Sequence, residues 1–155
     1  MFKHILLPTD GSPLSEVAVK KGMQFAKSIG ARVTGLYVIA PFRFLWRSDE
    51  TVTPRPWVKS EEGGAKEQYE KDSQMQAQSY LSVISNAAKE QGVICDCVSE
   101  TNAHPSAAIV EAAEKRGCDL IMMASHGRRG LQAVLIGSET TKVLTHTKIP
   151  VLVLR

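Results

Sequence analysis

At 155 residues, with 43% apolar and 23% charged residues, the chain has the length and balance of one globular domain with its own core. The formal charge of +3 is slight and no basic run exceeds Lys20-Lys21 or Arg128-Arg129, so neither nucleic acid nor a membrane surface is indicated as a partner. No apolar stretch approaches a membrane span, and the apolar part of the N-terminus is too short for a signal peptide; together these point to the cytoplasm.

Residues 2–7 form an apolar run closed by Pro8, which predicts a buried strand. Pro8-Thr9-Asp10-Gly11-Ser12-Pro13 is turn chemistry, with Ser12 as an N-cap and Pro13 at the first helical position. The helix should run to about Ile29, bury Leu14, Val17, Ala18, Met23, Phe25 and Ala26, and end at Gly30. Residues 32–39, rich in Val, Leu and Tyr, read as a second strand, and a β–α–β unit implies a right-handed crossover in a parallel sheet.

Residues 40–60 break the pattern. Pro41, Pro54 and Pro56 exclude a regular helix, and Phe42, Phe44, Trp46 and Trp57 follow no period. A surface excursion of this length either covers a ligand or partner site or pins itself down with its own aromatics. Residues 61–91 predict a helix, polar at first and then amphipathic through Tyr69, Met75, Tyr80, Leu81 and Ile84; Gly63-Gly64 moves its expected start to near Ala65. Gly92 ends it, and residues 93–99 form the third strand. Pro105 opens a helix with Ala107, Ala108, Ile109, Ala112 and Ala113 on its inner face, ended by Gly117. Residues 119–124 give the fourth strand, residues 138–146 the fourth helix and residues 149–154 the last strand. The alternation predicts a single α/β domain over residues 1–155: a doubly wound, five-stranded parallel sheet with helices on both faces. Such sheets bind ligands beyond the carboxyl ends of their strands, where the strand order reverses, so residues 8–10 and 124–127 are the natural candidates.

Between that fourth strand and fourth helix the chain reads Ala-Ser-His-Gly-Arg-Arg-Gly-Leu-Gln-Ala-Val-Leu-Ile-Gly-Ser. Gly127, Gly130 and Gly137 would let backbone N–H groups approach an anion at a helix N-terminus; the same glycines suit a plain connecting turn. Ser138 caps the helix or offers its hydroxyl to a phosphate oxygen. Arg128 and Arg129 are either a phosphate clamp or a solvated pair. Neither the P-loop nor the dinucleotide glycine pattern is met. His126 reads as a structural hydrogen-bonding group, since no carboxylate in the sequence is evident to orient it as a base. Cys95, Cys97 and Cys118 read as buried reduced thiols; a redox or metal role lacks histidines at ligand spacing.

Pro8-Thr9-Asp10-Gly11-Ser12 resembles the opening of the universal stress proteins. Ser125-His126-Gly127, nine further residues and Gly137-Ser138 resemble the second half of that family's nucleotide signature, and the closing Ile149-Pro-Val-Leu-Val-Leu is similar too. The full signature is Gly, two residues, Gly, nine residues, Gly, then Ser or Thr, and Ala124 stands here in place of the first glycine. The resemblance implies a Rossmann-like fold akin to the adenine nucleotide alpha hydrolases, and a stress-response module that binds ATP, with or without Mg2+. The family also has members that bind no nucleotide, so the alternative is a dimeric interaction protein of the same fold. The implied site has Asp10 on the adenine or ribose side, Val38 against adenine, Met123 lining the base, and Gly127, Gly137 and Ser138 at the phosphates. Pro8, Thr9, Ala124, His126, Arg128 and Glu139 complete it. For Asp10 the alternative is a turn-forming carboxylate, and for Val38 and Met123 plain core packing. Ala124 is harmless if its backbone is ordinary β and strained if its φ is positive. Slow ATP hydrolysis is left open, with no catalytic base assigned. Ile149, Val151 and Val153 of the last strand, expected at a sheet edge, would form a homodimer interface, as the resemblance also implies.

Overall fold

The structure, a computed structural model, describes residues 1–42, 59–126 and 136–155, where strand and helix alternate from end to end. The elements are β1 (His4–Thr9), α1 (Pro13–Ile29), β2 (Arg32–Ile39), α2 (Lys59–Gln91), β3 (Cys95–Thr101), α3 (Pro105–Lys115), β4 (Leu120–Ala124), α4 (Ser138–His146) and β5 (Val151–Leu154). The five strands form one parallel sheet in the order β3-β2-β1-β4-β5.

Period-two alternation sorts the strand side chains between two cores. Ile5, Leu7, Val33, Tyr37, Leu120 and Met122 point to one face, where Val19, Met23 and Ala26 of α1 and Ala77, Leu81, Ile84 and Ala88 of α2 cover them. Leu6, Leu36, Ile121 and Met123 point to the other, against Ile109, Ala112 and Ala113 of α3 and Val143 of α4. β1 and β4 lie at the centre with helices on both sides, which is why they read as unbroken apolar runs.

The boundaries moved where local hydrogen bonding outranked composition. β1 passes through Pro8 to Thr9 rather than stopping before the proline; its register with β4 ends at Leu6↔Ile121, so Pro8 pairs only with Leu36 of β2, where its missing N–H interrupts no ladder to β4. α2 begins at Lys59 and runs through Gly63-Gly64, since two glycines weaken a helix without forbidding it. β3 starts at Cys95 rather than Val93, because the Val93 N–H still bonds the Ala88 carbonyl at the helix exit (2.9 Å). β5 starts at Val151, after a turn in which the Ile149 N–H bonds Thr147 Oγ1 (3.1 Å). β4 starts at Leu120: Asp119 instead staples the start of β1, accepting from the N–H groups of Lys3 (2.8 Å) and His4 (2.9 Å). On α1, Val17 faces solvent, and Val19 and Gly22 are buried instead; on α3, Ala107 is exposed. The Ser12 cap is as expected, its hydroxyl accepting from the Ser15 N–H at 3.2 Å, and Gly30 closes the helix with φ 67°. The aromatic excursion falls mostly on residues 43–58, outside the described residues. Among the described residues no helix is long and apolar enough to cross a membrane.

Candidate functional site

Between β1 and β4 the strand order reverses: the chain builds outward from β1 to β3 and then returns to add β4 and β5 on the other side. The connections diverge there and leave a crevice at the carboxyl ends of the strands. A cleft of about 590 Å³ occupies it. Pro8, Thr9 and Asp10 line it from β1 and its turn, Val38 from the end of β2, Met123, Ala124 and His126 from β4 and its exit, and Gly137, Ser138 and Glu139 from the start of α4. Every candidate residue within the described part of the chain therefore meets in one place. Gly127, Arg128 and Arg129 lie outside it. Tyr37, Ile109 and Thr140 also reach the cleft, as do Ser15, Ala103 and Pro105. They were not expected there, because each reads as ordinary core, cap or turn; only the topology carries the α3 entry over the end of β2.

The turn after β1 is held by a relay of short polar side chains. The Gly11 N–H donates to Thr9 Oγ1 (3.2 Å), Thr9 Oγ1 lies 3.0 Å from Ser15 Oγ, and Ser15 Oγ donates to the Ser12 carbonyl (2.9 Å). One Asp10 carboxylate oxygen accepts from the Ser12 N–H at 3.0 Å, so Asp10 shapes its own turn while lining the cleft. Gly11 has φ 74°, and a Cβ there would run into the ring of Tyr80 on α2. The turn is thus fixed from below by an aromatic ring that itself packs on Tyr37, with centroids 5.3 Å apart.

On the opposite wall, the Gly137 N–H bonds the Ser125 carbonyl at 2.7 Å, and the Thr140 hydroxyl reaches the Ala124 carbonyl at 3.1 Å. These bonds sew the start of α4 to the end of β4. A Cβ on Gly137 would stand 3.1 Å from the Ser125 oxygen, so this glycine provides closeness, its φ of −67° being open to any residue. The Gly137 amide is therefore bonded within the chain, although Gly137 itself lines the cleft. Ser138 is the first helical residue and Gly137 occupies the cap position, so Ser138 does not cap the helix; its exposed side chain is at the cleft. The first-turn amides of Ser138 and Glu139 have no carbonyl partner within the helix itself.

Glu139 does something the sequence did not suggest. One carboxylate oxygen accepts from the Ser106 N–H in the first turn of α3 (2.9 Å) and the other from Lys142 Nζ (2.7 Å). Burial works against its ionisation, but Lys142 and the Ser106 N–H outweigh burial and hold its carboxyl below the ordinary range. The carboxylate thus caps α3 and ties the two helices over the cleft, leaving only the backbone of Glu139 for a ligand. His126 has Nδ1 3.1 Å from Ser125 Oγ. Ala124 has no positive φ; it is the last β4 residue, paired with Leu154, so the strain that an alanine was expected to bring if φ were positive is absent. An apolar wall (Val38, Ile109, Met123), an acidic group at the β1 turn and the first-turn amides of a helix suit a flat apolar base joined to an anionic group. Among the described residues no group of three or more His, Cys, Asp or Glu could hold a metal ion.

The pattern of the Universal stress protein family matches residues 1–155. Universal stress protein MJ0531 of Methanocaldococcus jannaschii is 32% identical over 155 residues, which are all of this chain and 83% of that protein. The solved structure of MJ0577, from the same organism, superposes with a TM-score of 0.78 at 29% identity, covering 99% of this chain and 96% of that one. A universal stress protein solved in complex with cAMP shares the fold, with a TM-score of 0.68 at 21% identity over 99% of this chain and 97% of its own.

Proposed function

The chain belongs to the universal stress protein family, and from that premise we propose that it is a stress-response module whose cleft binds an adenine nucleotide, ATP in the first instance. The observation that carries the reading is the convergence, at the reversal of strand order, of the Asp10 turn and the start of α4 on a cleft with an apolar wall. Adenine would lie against Val38, Ile109 and Met123, Asp10 would accept from a ribose hydroxyl, and the phosphates would meet the Ser138 and Glu139 amides and the α4 dipole. Mg2+, if it accompanies ATP, would come in on the phosphates rather than into a cage of side chains. The solved relative that holds cAMP supports an adenine nucleotide as the ligand class. A cytoplasmic setting belongs to the same proposal, and free thiols at Cys95, Cys97 and Cys118 fit a reducing compartment. So does a homodimer through β5, which lies at the sheet edge with Leu152 39% exposed.

Titration calorimetry with ATP tests the site. Ala124→Gly should leave the affinity within about twofold, because the alanine backbone is unstrained. Ser138→Ala removes one neutral hydroxyl and should weaken binding by about 0.5–1.5 kcal/mol. Gly137→Val, with a branched side chain pressed on the Ser125 carbonyl, should displace the start of α4 and abolish measurable binding in a protein that circular dichroism reports as folded. No heat with wild type and no competition by ATP would overturn nucleotide binding and leave the dimeric interaction protein in its place.

A further inference from the structure

The threonines of α4 use their hydroxyls in two ways. Thr141 Oγ1 donates to the Gly137 carbonyl and Thr145 Oγ1 to the Thr141 carbonyl, each at 3.0 Å and each one turn back along the same helix, as helical threonines commonly do. Thr140 is only 3% exposed, and its hydroxyl leaves the helix altogether. It donates to the Ala124 carbonyl at the end of β4, 3.1 Å away, with the Ser125 carbonyl at 3.4 Å.

The sheet explains why that carbonyl needs a donor. Successive residues of a parallel strand turn their backbone groups toward opposite neighbours. The N–H groups of Ile121 and Ser125 reach the β5 side, bonding the carbonyls of Pro150 (2.9 Å) and Leu154 (2.7 Å). Ala124 therefore turns toward β1, but the β1–β4 pairing ends earlier, at Leu6↔Ile121. The reversal of strand order that opens the cleft thus leaves a buried carbonyl beyond the last β1 pair, Ala124 being 8% exposed. Thr140 supplies the donor, beside the 2.7 Å bond from the Gly137 N–H to the Ser125 carbonyl.

Resting on the nucleotide reading above, we propose that Thr140 is the positioning residue for the phosphate end of the cleft. Ser138 and Glu139 share the first turn of α4 with Thr140, so its bond to Ala124 sets how far their amides stand from the end of β4. The turn is held in two directions: Glu139 ties it sideways to α3, and Thr140 ties it down to the sheet. Val143, one turn further on, is fully buried between α3 and α4 and anchors the rest of the helix on its own. Losing the Thr140 hydroxyl therefore releases the first turn and leaves the apolar wall of Val38, Ile109 and Met123 in place. The hydroxyl is committed to Ala124, so Thr140 acts on a ligand through the amides it places.

Thr140→Val keeps the branched shape and removes the donor, whereas Thr140→Ser keeps the donor. In the ligand-free full chain, amide exchange read by NMR should quicken at Gly137 by about tenfold or more in Thr140→Val. The far end of α4, read at the Thr147 amide that bonds the Val143 carbonyl, should not change. NMR titration should show ATP affinity falling roughly tenfold or more in Thr140→Val, the scale of a hydrogen bond to a charged group, while adenosine affinity stays within about twofold. Thr140→Ser should restore both the exchange and the ATP affinity. Unchanged exchange at Gly137, unchanged ATP affinity, or equal losses for ATP and adenosine would overturn the positioning role and leave the nucleotide site standing. Wild type that binds neither ligand would overturn the nucleotide reading, and the positioning role with it.

Discussion

Gly11 concentrates the demands of the β1 turn in one residue. Its φ of 74° is disfavoured for a side-chain-bearing residue, and the space a Cβ would fill belongs to the Tyr80 ring. Gly11→Ala combines a left-handed backbone penalty of about 1 kcal/mol with overpacking of about 1–3 kcal/mol, so urea unfolding should register a loss of about 2–4 kcal/mol. A loss below about 1 kcal/mol would mean that Tyr80 swings aside freely. His4 makes a different demand. It is 7% exposed in the central strand, with Nε2 2.8 Å from Thr34 Oγ1. Burial, aided by the charge of Arg32, holds its pKa below 6.5, so the unfolded chain takes up a proton before the folded one does. This residue's effect on stability should therefore be level above pH about 6.5 and increasingly unfavourable as pH falls below it. Urea midpoints measured from pH 7.5 to 5 should fall in wild type and fall less in His4→Gln; equal slopes would remove His4 as the cause.

Among elements, the pair α3–α4 is the least obvious from the sequence. Beyond the core they share through Ile109, Ala112, Ala113 and Val143, the Glu139 carboxylate links their first turns, accepting from the Ser106 N–H while Lys142 holds its other oxygen. Glu139→Gln keeps the shape and removes the charge. At pH 7 it should lower stability by about 1 kcal/mol, the side chain being partly in solvent. Because the folded-state pKa of Glu139 is depressed, the wild-type advantage is fully present above the unfolded carboxylate value and is lost as pH falls below it through the lower folded-state value. Thermal melts of the two proteins should therefore differ at pH 7 and converge near pH 3. A difference that persists in acid would assign the effect to packing instead.

For the whole molecule, the proposed homodimer rests on the exposed end of the sheet. Among the described residues nothing pairs with the outer backbone edge of β5, while Ile149 and Val151 turn toward the α3–α4 core and Leu152 faces outward. Isologous pairing along that edge would cover Leu152 twice over. Leu152→Lys should shift sedimentation from dimer toward monomer without unfolding the chain. A wild type already monomeric at micromolar concentration would sink the dimer. ATP should also stabilise the folded state by mass action, by about 2.7 kcal/mol at a hundredfold excess over its Kd, read as a raised Tm.

Much of this molecule is written locally. The apolar runs of β1, β2 and β4, the Ser12-Pro13 helix start and the glycines after α1 and α2 determine which segments are strands and helices, because each depends on neighbours within a few residues. The alternation of those segments then dictates a parallel sheet with two covered faces. The turn residues Pro8, Thr9 and Asp10 and the Gly137-Ser138 helix start were equally legible as candidates, since backbone requirements mark them. Three matters were decided only in three dimensions. Ala124 proved unstrained because pairing with Leu154 fixes its backbone. The Gly137 amide turned inward because the Ser125 carbonyl, twelve residues earlier in the chain, reaches it first. Glu139 became a clasp because α3 ends its approach beside α4. Each depends on which long-range partner arrives, and residue type records what a group can bond but not which partner the fold will bring to it.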